Sequence, residues 1–166
     1  MSKIFKSLLL SLLGSLTLYG SSSQESFRFL SIGTAKQHFS LPSSSPSENL
    51  FSLRYGEQTH EWRTMFTYAT NASVTEWEME IDNILFEQLF NTPKIRGYLG
   101  ASVGSLSYQT QSLQDESGYY YGATSGLMLY LNERFDIDLG YGYYWIENFT
   151  NLKKSQAIRL SLHYFY

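Results

Sequence analysis

Ile158-Arg159-Leu160-Ser161-Leu162-His163-Tyr164-Phe165-Tyr166, the last nine residues, governs how the rest of the chain is read. Ile158, Leu160, Leu162, Tyr164 and Tyr166 alternate with Arg159, Ser161, His163 and Phe165. Successive side chains of a strand point to opposite faces, so one face here is apolar and aromatic and the other mainly polar. A soluble sandwich would use the same alternation to build a core face. The aromatic terminal residue, in a chain that starts with an export signal, points instead to a strand whose apolar side meets lipid.

The export signal is expected over residues 1–23. Lys3 and Lys6 form its charged start, residues 8–18 its apolar stretch, and residues 20–23 are small enough for cleavage. The apolar stretch is shorter than the ~20 residues of a membrane helix and is interrupted by Ser11, Gly14 and Ser15. Residues 24–166 then form one domain, with no second domain expected after Tyr166. The chain has no Cys, hence neither a disulfide nor a lipoprotein acylation site. A net charge of −3 without runs of like charge argues against a nucleic-acid partner. Aromatic residues reach 17% against 16% charged, led by 14 Tyr, as a wall with two lipid–water rims requires. Soluble aromatic-rich β domains share that composition.

Eight strand-like runs follow, over residues 27–39, 50–56, 61–69, 74–86, 95–108, 119–132, 135–147 and 155–166. Most reach the roughly 9–11 tilted residues that span a bilayer as a strand. Polar loops are expected over 42–48, 110–118 and 148–154 and tight turns over 57–60 and 132–134, while the short 70–73 and the long 87–93 connections break the pattern. Facing is clearest in the fourth, seventh and eighth runs. Phe135, Ile137, Leu139, Tyr141, Tyr143 and Trp145 oppose Asp136, Asp138, Gly140, Gly142 and Tyr144; Trp77, Met79, Ile81 and Leu85 oppose Glu76, Glu78, Glu80 and Asp82. Acidic side chains are heavily penalised against lipid, so the charged face is expected inside.

The aromatic-ended alternation of residues 158–166 resembles the carboxy-terminal assembly signal of bacterial outer-membrane β-barrels. The run count and loop pattern resemble the small eight-stranded barrels of the OmpA and OmpX type. That resemblance implies an all-β fold: an eight-stranded antiparallel up-and-down transmembrane β-barrel in the bacterial outer membrane, with both termini periplasmic. It implies periplasmic chaperones and the barrel-assembly machinery as partners in biogenesis, and outer-membrane lipid and lipopolysaccharide as surroundings. The expected role is structural or surface-interactive, with any surface ligand met by residues 43–47, 111–117 and 148–154. Lipid-modifying acyl hydrolases or transferases, narrow channels and carriers of hydrophobic compounds also occur on such barrels. A soluble periplasmic β-barrel is the competing fold.

Parity places Arg54, Arg63, Arg96 and Arg159, with Arg28, inside against Glu61, Glu76, Glu78, Glu80, Asp82, Asp136 and Asp138. Pairing around the turns sets Arg63 opposite Glu80 and Arg54 beside Arg63, a ladder of ion pairs that plugs a lumen wide enough only for side chains. Ser161, His163 and Asp138 contain the parts of an acyl-transfer site. A structural cluster is the plainer reading, because a site facing inward is closed to lipid. Gly100-Ala101-Ser102-Val103-Gly104 fits a hydrolase nucleophile elbow but sits inside a Gly-rich strand where no helix follows. Small residues there make room for Tyr98, Tyr130 and Tyr144. His38 and His60 belong to loops or rims, no spacing resembles a metal site, and no cofactor is expected. Trp62, Trp77, Tyr121, Tyr143, Trp145 and Tyr164 are candidates for the interfacial girdles. Asn71-Ala72-Ser73 and Asn148-Phe149-Thr150 match a glycosylation pattern that a bacterial envelope protein does not use.

Overall fold

A strand presents unpaired N–H and C=O groups along each edge, and only closure of the sheet removes both edges at once. The computed structural model, which describes residues 25–41, 45–85, 92, 94–110 and 113–166, closes eight antiparallel strands into a barrel. They are β1 (Phe27–Ser40), β2 (Ser47–Gln58), β3 (Trp62–Thr70), β4 (Val74–Leu85), β5 (Ile95–Thr110), β6 (Leu113–Tyr130), β7 (Phe135–Glu147) and β8 (Lys154–Phe165). Each pairs with the next, and β8 returns to β1. The expected export signal, residues 42–44 of the first loop, residue 86, most of the 87–93 connection and residues 111–112 lie outside the described residues.

Register sets the tilt. A row started at Leu30 runs through Tyr55, Phe66, Met79, Val103, Tyr121, Trp145 and Lys154, and regains β1 at Ser40, ten residues further along. With strands ~4.8 Å apart and ~3.3 Å per residue, that offset inclines them by about 40° to the barrel axis. Even β3, at nine residues, is then long enough to cross a hydrocarbon layer.

β7 matches its expected bounds, while the 110–118 loop does not. β6 begins at Leu113, and Glu116, Ser117 and Gly118 continue the ladder opposite Tyr108, Ser107 and Leu106. Gly, Asp and Ser disfavour strands on their own, but pairing to an existing partner overrides that preference. The β5–β6 hairpin therefore rises beyond its neighbours, since β4 starts opposite Tyr108 and β7 ends opposite Tyr119. β2 is likewise longer than expected: Ser47, Glu48 and Asn49 pair with His38, Gln37 and Lys36.

The burial pattern inverts that of a soluble protein. Every strand carries apolar or aromatic residues on its outer face, from Ile32 at 55% exposure through Phe66 at 56% and Leu139 at 49% to Trp77 at 61%. Soluble domains rarely expose apolar patches beyond a few hundred Å². Here the patch circles the wall, which disfavours the soluble alternative. Buried charge fills the inside: Arg54, Arg63, Arg159, Glu76, Glu78, Glu80, Asp82, Asp136 and Asp138. Arg28 departs from its expected inward position. It is exposed and shares its parity with outward Leu30 and Ile32, because β1 starts in register with the outer face of β8.

Tyr98 shows why one inward position has no side chain. A Cβ on Gly140 would sit 2.6 Å from the Tyr98 hydroxyl oxygen, with no backbone atom as close. Gly140→Ala is expected to displace Tyr98 and destabilise the barrel by about 1–3 kcal/mol. Urea unfolding in lipid vesicles measures it, and an unchanged midpoint would show that Tyr98 has room to move.

Candidate functional site in the barrel lumen

Three layers fill the lumen. At the end away from the termini, Phe39, Leu50, Leu106, Ile146, Phe149 and Leu152 form an apolar cap. Phe149 and Leu152 belong to the β7–β8 connection, which was expected to be a polar outer loop; both are 4% exposed. The connection is tied down by Ile146 N–H donating to Lys153 O at 2.9 Å and Lys153 Nζ donating to Phe149 O at 3.0 Å. Asn148 takes the left-handed turn with φ 66°, which asparagine tolerates well. At the terminal end, Phe29, Met65 and Phe165 form one plug and Ile84, Tyr98 and Met128 another.

Between these apolar layers lie two arginine-centred clusters. Arg63 is fully buried; its Nε donates to Asp82 Oδ2 at 2.9 Å and its Nη1 to Asp138 Oδ2 at 2.5 Å. Its guanidinium lies 4.4 Å from the centre of the Tyr98 ring. The Tyr98 hydroxyl donates to Asp138 Oδ1 at 3.0 Å and the Thr124 hydroxyl to Asp82 Oδ1 at 3.1 Å. Arg159 Nη1 donates to Glu78 Oε1 at 2.6 Å and Glu80 Oε2 at 2.8 Å, while Nη2 bonds the Tyr144 hydroxyl. The Tyr120 hydroxyl completes Glu78 at 2.9 Å, and Glu76 accepts from the Gln37 amide at 2.7 Å. Charge stays ionised in a dry interior only when paired and hydrogen-bonded, which Arg63 provides for Asp82 and Asp138 and Arg159 for Glu78 and Glu80, whereas Glu76 has a neutral amide as its partner.

The expected ladder thus exists with shifted rungs. Arg63 lies opposite Asp82, not Glu80, and Arg54 lies opposite Thr67. Asn71 causes the first shift: its Oδ1 accepts from Ser73 and Val74 N–H at 2.8 and 2.7 Å, fixing a turn that offsets β3 against β4 by two residues. A two-residue offset keeps every side chain on its face while changing its partner. Glu80 then goes to Arg159 across the lumen. Arg54 Nε and Nη2 have no hydrogen-bond partner among the described residues; they border a cavity of about 10 Å³ shared with Ser52, Thr67 and Glu76, room for about one water. Arg96 stands apart, half-buried over the Tyr130 ring at 5.1 Å, with Nη1 3.4 Å from His60 Nδ1. Tyr120 and Thr124 were absent from the expected network, although their parity with Met128 and Tyr130 along β6 marks them as inward.

Ser161, His163 and Asp138 all face inward, but they do not form a relay. Ser161 Oγ has no hydrogen-bond partner among the described residues. His163 Nδ1 stands 2.9 Å from Asp136 Oδ1, at an angle that forms no hydrogen bond, and Nε2 is 4.0 Å from Asp138 Oδ2. Register explains the substitution: Asp136 lies opposite His163, and Asp138 lies opposite Ser161 while serving Arg63. Phe29 stacks on the imidazole at 4.7 Å. The nucleophile–base contact that acyl transfer relies on is therefore not formed in this arrangement. Ser102 of the Gly-Ala-Ser-Val-Gly stretch is buried within β5, in a strand that continues on both sides. Among the described residues no group of three or more His, Asp or Glu is placed to hold a metal ion.

No family model matches the chain, and no curated protein sequence does. Solved structures do match in shape. Neisserial surface protein A superposes with a TM-score of 0.64 at 16% identity, covering 84% of this chain and 97% of that one. The amino-terminal barrel domain of Pseudomonas aeruginosa OprF gives 0.62 at 12% identity, covering 86% and 100%. The attachment invasion locus protein Ail of Yersinia pestis, in complex with the heparin analogue sucrose octasulfate, gives 0.53 at 18% identity, covering 86% and 99%. With its closed register, outward apolar belt and charged interior, the chain has the fold of these small eight-stranded barrels of the Gram-negative outer membrane.

Proposed function

We propose that the protein is an integral outer-membrane barrel with a structural and surface-interaction role, its termini periplasmic and its lumen held shut by the charged clusters. The inverted distribution of polarity, with an apolar wall around paired charge, carries this reading. Two apolar layers over the ion pairs support a plug in place of a conducting path. The β5–β6 hairpin, rising beyond the rest of the wall, is the element best placed to meet an external partner. Ail was solved with a polyanionic sugar, so a partner on the surface of this fold has a precedent of that class. The alternation of apolar and aromatic with polar residues along β8 supports biogenesis through periplasmic chaperones and the barrel-assembly machinery.

Cysteine labelling tests the placement, because the chain has no Cys of its own. In intact cells a membrane-impermeant maleimide is expected to label Ser117→Cys on the long hairpin and to spare Glu133→Cys on the β6–β7 turn until the envelope is opened. The reverse pattern would invert the topology. Recovery of both labelled variants in the soluble periplasmic extract would sink the membrane reading.

A further inference from the structure

Where the β5–β6 hairpin rises past its neighbours, its inner face overlooks the apolar cap. Tyr108 and Glu116 lie directly opposite each other there, with the same parity as inward Leu106 and Tyr120, and Glu116 is beyond Tyr119, where pairing of β6 with β7 ends. Both line a pocket of about 20 Å³ with Phe39 of β1 and with Phe149 and Leu152 of the β7–β8 connection. The Phe39 and Tyr108 rings meet edge to face at 5.3 Å. Gly118 lets Phe149 sit close to the hairpin, since a Cβ there would lie 2.7 Å from Phe149 Cδ2. Glu116 Oε2 accepts from Thr150 N–H at 3.3 Å, which holds the carboxylate against the connection. Glu116 forms no ion pair among the described residues, and Lys153, in the same connection, gives its ammonium to Phe149 O. Three aromatic side chains and a carboxylate without a counter-ion therefore share one small pocket at the mouth.

We propose that this pocket takes the side-chain ammonium of a lysine from an external polypeptide. The inference rests on the orientation proposed above and names the partner chemistry of that surface. Aromatic faces carry negative potential and attract a cation, and Glu116 adds a full opposite charge. Size selects among cations, because about 20 Å³ holds one group the size of a water molecule. An ammonium fits that space, whereas a planar guanidinium or a trimethylammonium is too broad. The methylene stem of lysine also suits the apolar walls of Phe39 and Leu152, leaving its charged tip for Glu116. A polyanionic sugar would meet Glu116 with like charge. Affinity grows with the number of atoms held, so a pocket this small retains a free amine weakly and serves as the anchor point of a longer chain.

The test titrates the full chain, folded in neutral dodecyl maltoside micelles, with an amide-capped oligolysine and follows its amide and aromatic NMR signals. Those of Tyr108, Gly118, Phe149 and Thr150 are expected to shift. Glu116→Gln should weaken binding roughly 5- to 10-fold and Tyr108→Leu about 3-fold, with gel mobility before and after heating confirming that each variant is folded. Glu147→Gln, which removes an outward carboxylate at the same end of the barrel, should bind as the native chain does. Oligoarginine and ε-acetylated oligolysine should leave the four signals in place, and ethylamine should need a roughly 100-fold higher concentration to move them. The proposal is overturned if either pocket variant binds like the native chain, if Glu147→Gln weakens binding as much as Glu116→Gln, or if oligoarginine, the acetylated peptide or ethylamine matches oligolysine. Maleimide labelling of Ser117→Cys separates the two readings: no labelling from outside overturns the surface role and the pocket together, whereas outside labelling with a flat titration overturns only the lysine pocket.

Discussion

Arg63→Met is expected to lower the stability of the folded barrel by about 3–5 kcal/mol, the usual cost of leaving buried charge without its partner. Asp82 and Asp138 receive different nitrogens of the same guanidinium, and both are fully buried. Methionine fills much of the volume but leaves two carboxylates without a cation, and Tyr98 loses the planar group beneath its ring. Arg63→Lys should recover only part of the loss, since a single ammonium cannot reproduce a planar fork that holds carboxylates from β4 and β7 at once. Arg63→Met combined with Asp82→Asn and Asp138→Asn should return to within ~1–2 kcal/mol of the native chain, because the buried charge is then removed along with its partner. Urea titration of the barrel in neutral lipid vesicles, followed by tryptophan fluorescence, measures all three. Trp62, Trp77 and Trp145 face outward and report withdrawal of the wall from lipid. If Arg63→Met alone stays within about 1 kcal/mol of native, the cluster is solvated and the plugged lumen is refuted.

Leu139→Arg addresses the outside of the same wall. Leu139 faces outward near the middle of β7, with Ile137 and Tyr141 beside it on that face. An arginine at the bilayer midplane of a barrel costs about 2–4 kcal/mol, falling to ~0–1 near the interfaces. Ser107→Arg, close to the far end of β5 on the outer face, is the paired control with a small expected effect. In water the exposed Leu139 would accept arginine within ~0.5 kcal/mol. A large effect at 139 with a small one at 107 therefore measures lipid around the belt, and equal small effects would place the wall in water.

Facing was legible in the sequence because it depends on parity alone. Glu76, Glu78, Glu80 and Asp82 against Trp77, Met79 and Ile81 fix the inside of β4 without knowledge of any partner strand. Pairing was less legible, because it depends on the residues spent in each turn. Asn71 holds its turn through two backbone N–H groups, and that one turn moved Arg63 from Glu80 to Asp82. The same limit exchanged Asp138 for Asp136 opposite His163. Elements with weak intrinsic preference were hardest to see. Glu116, Ser117 and Gly118 read as loop residues, and only the adjacent β5 makes them strand. Phe149 and Leu152 sit in a polar context, and their burial follows from the mouth they cover, which appears only after the barrel has closed. Arg28 failed for another reason: near the start of the first strand, too few flanking apolar residues remain to set parity.

The reach of Arg159 also orders assembly in time. Its carboxylate partners, Glu78 and Glu80, precede it by 81 and 79 residues, and it arrives on the final strand. Until β8 docks, those two acids face a half-built trough without their cation, and a charged trough holds water. Sealing the β1–β8 seam expels that water and supplies the counter-charge in a single event. Contacts so distant along the chain form slowly. A chain shortened to end before β8 would therefore lack both the seam to β1 and the cation of Glu78 and Glu80, and β8 acts as the latch that seals the barrel.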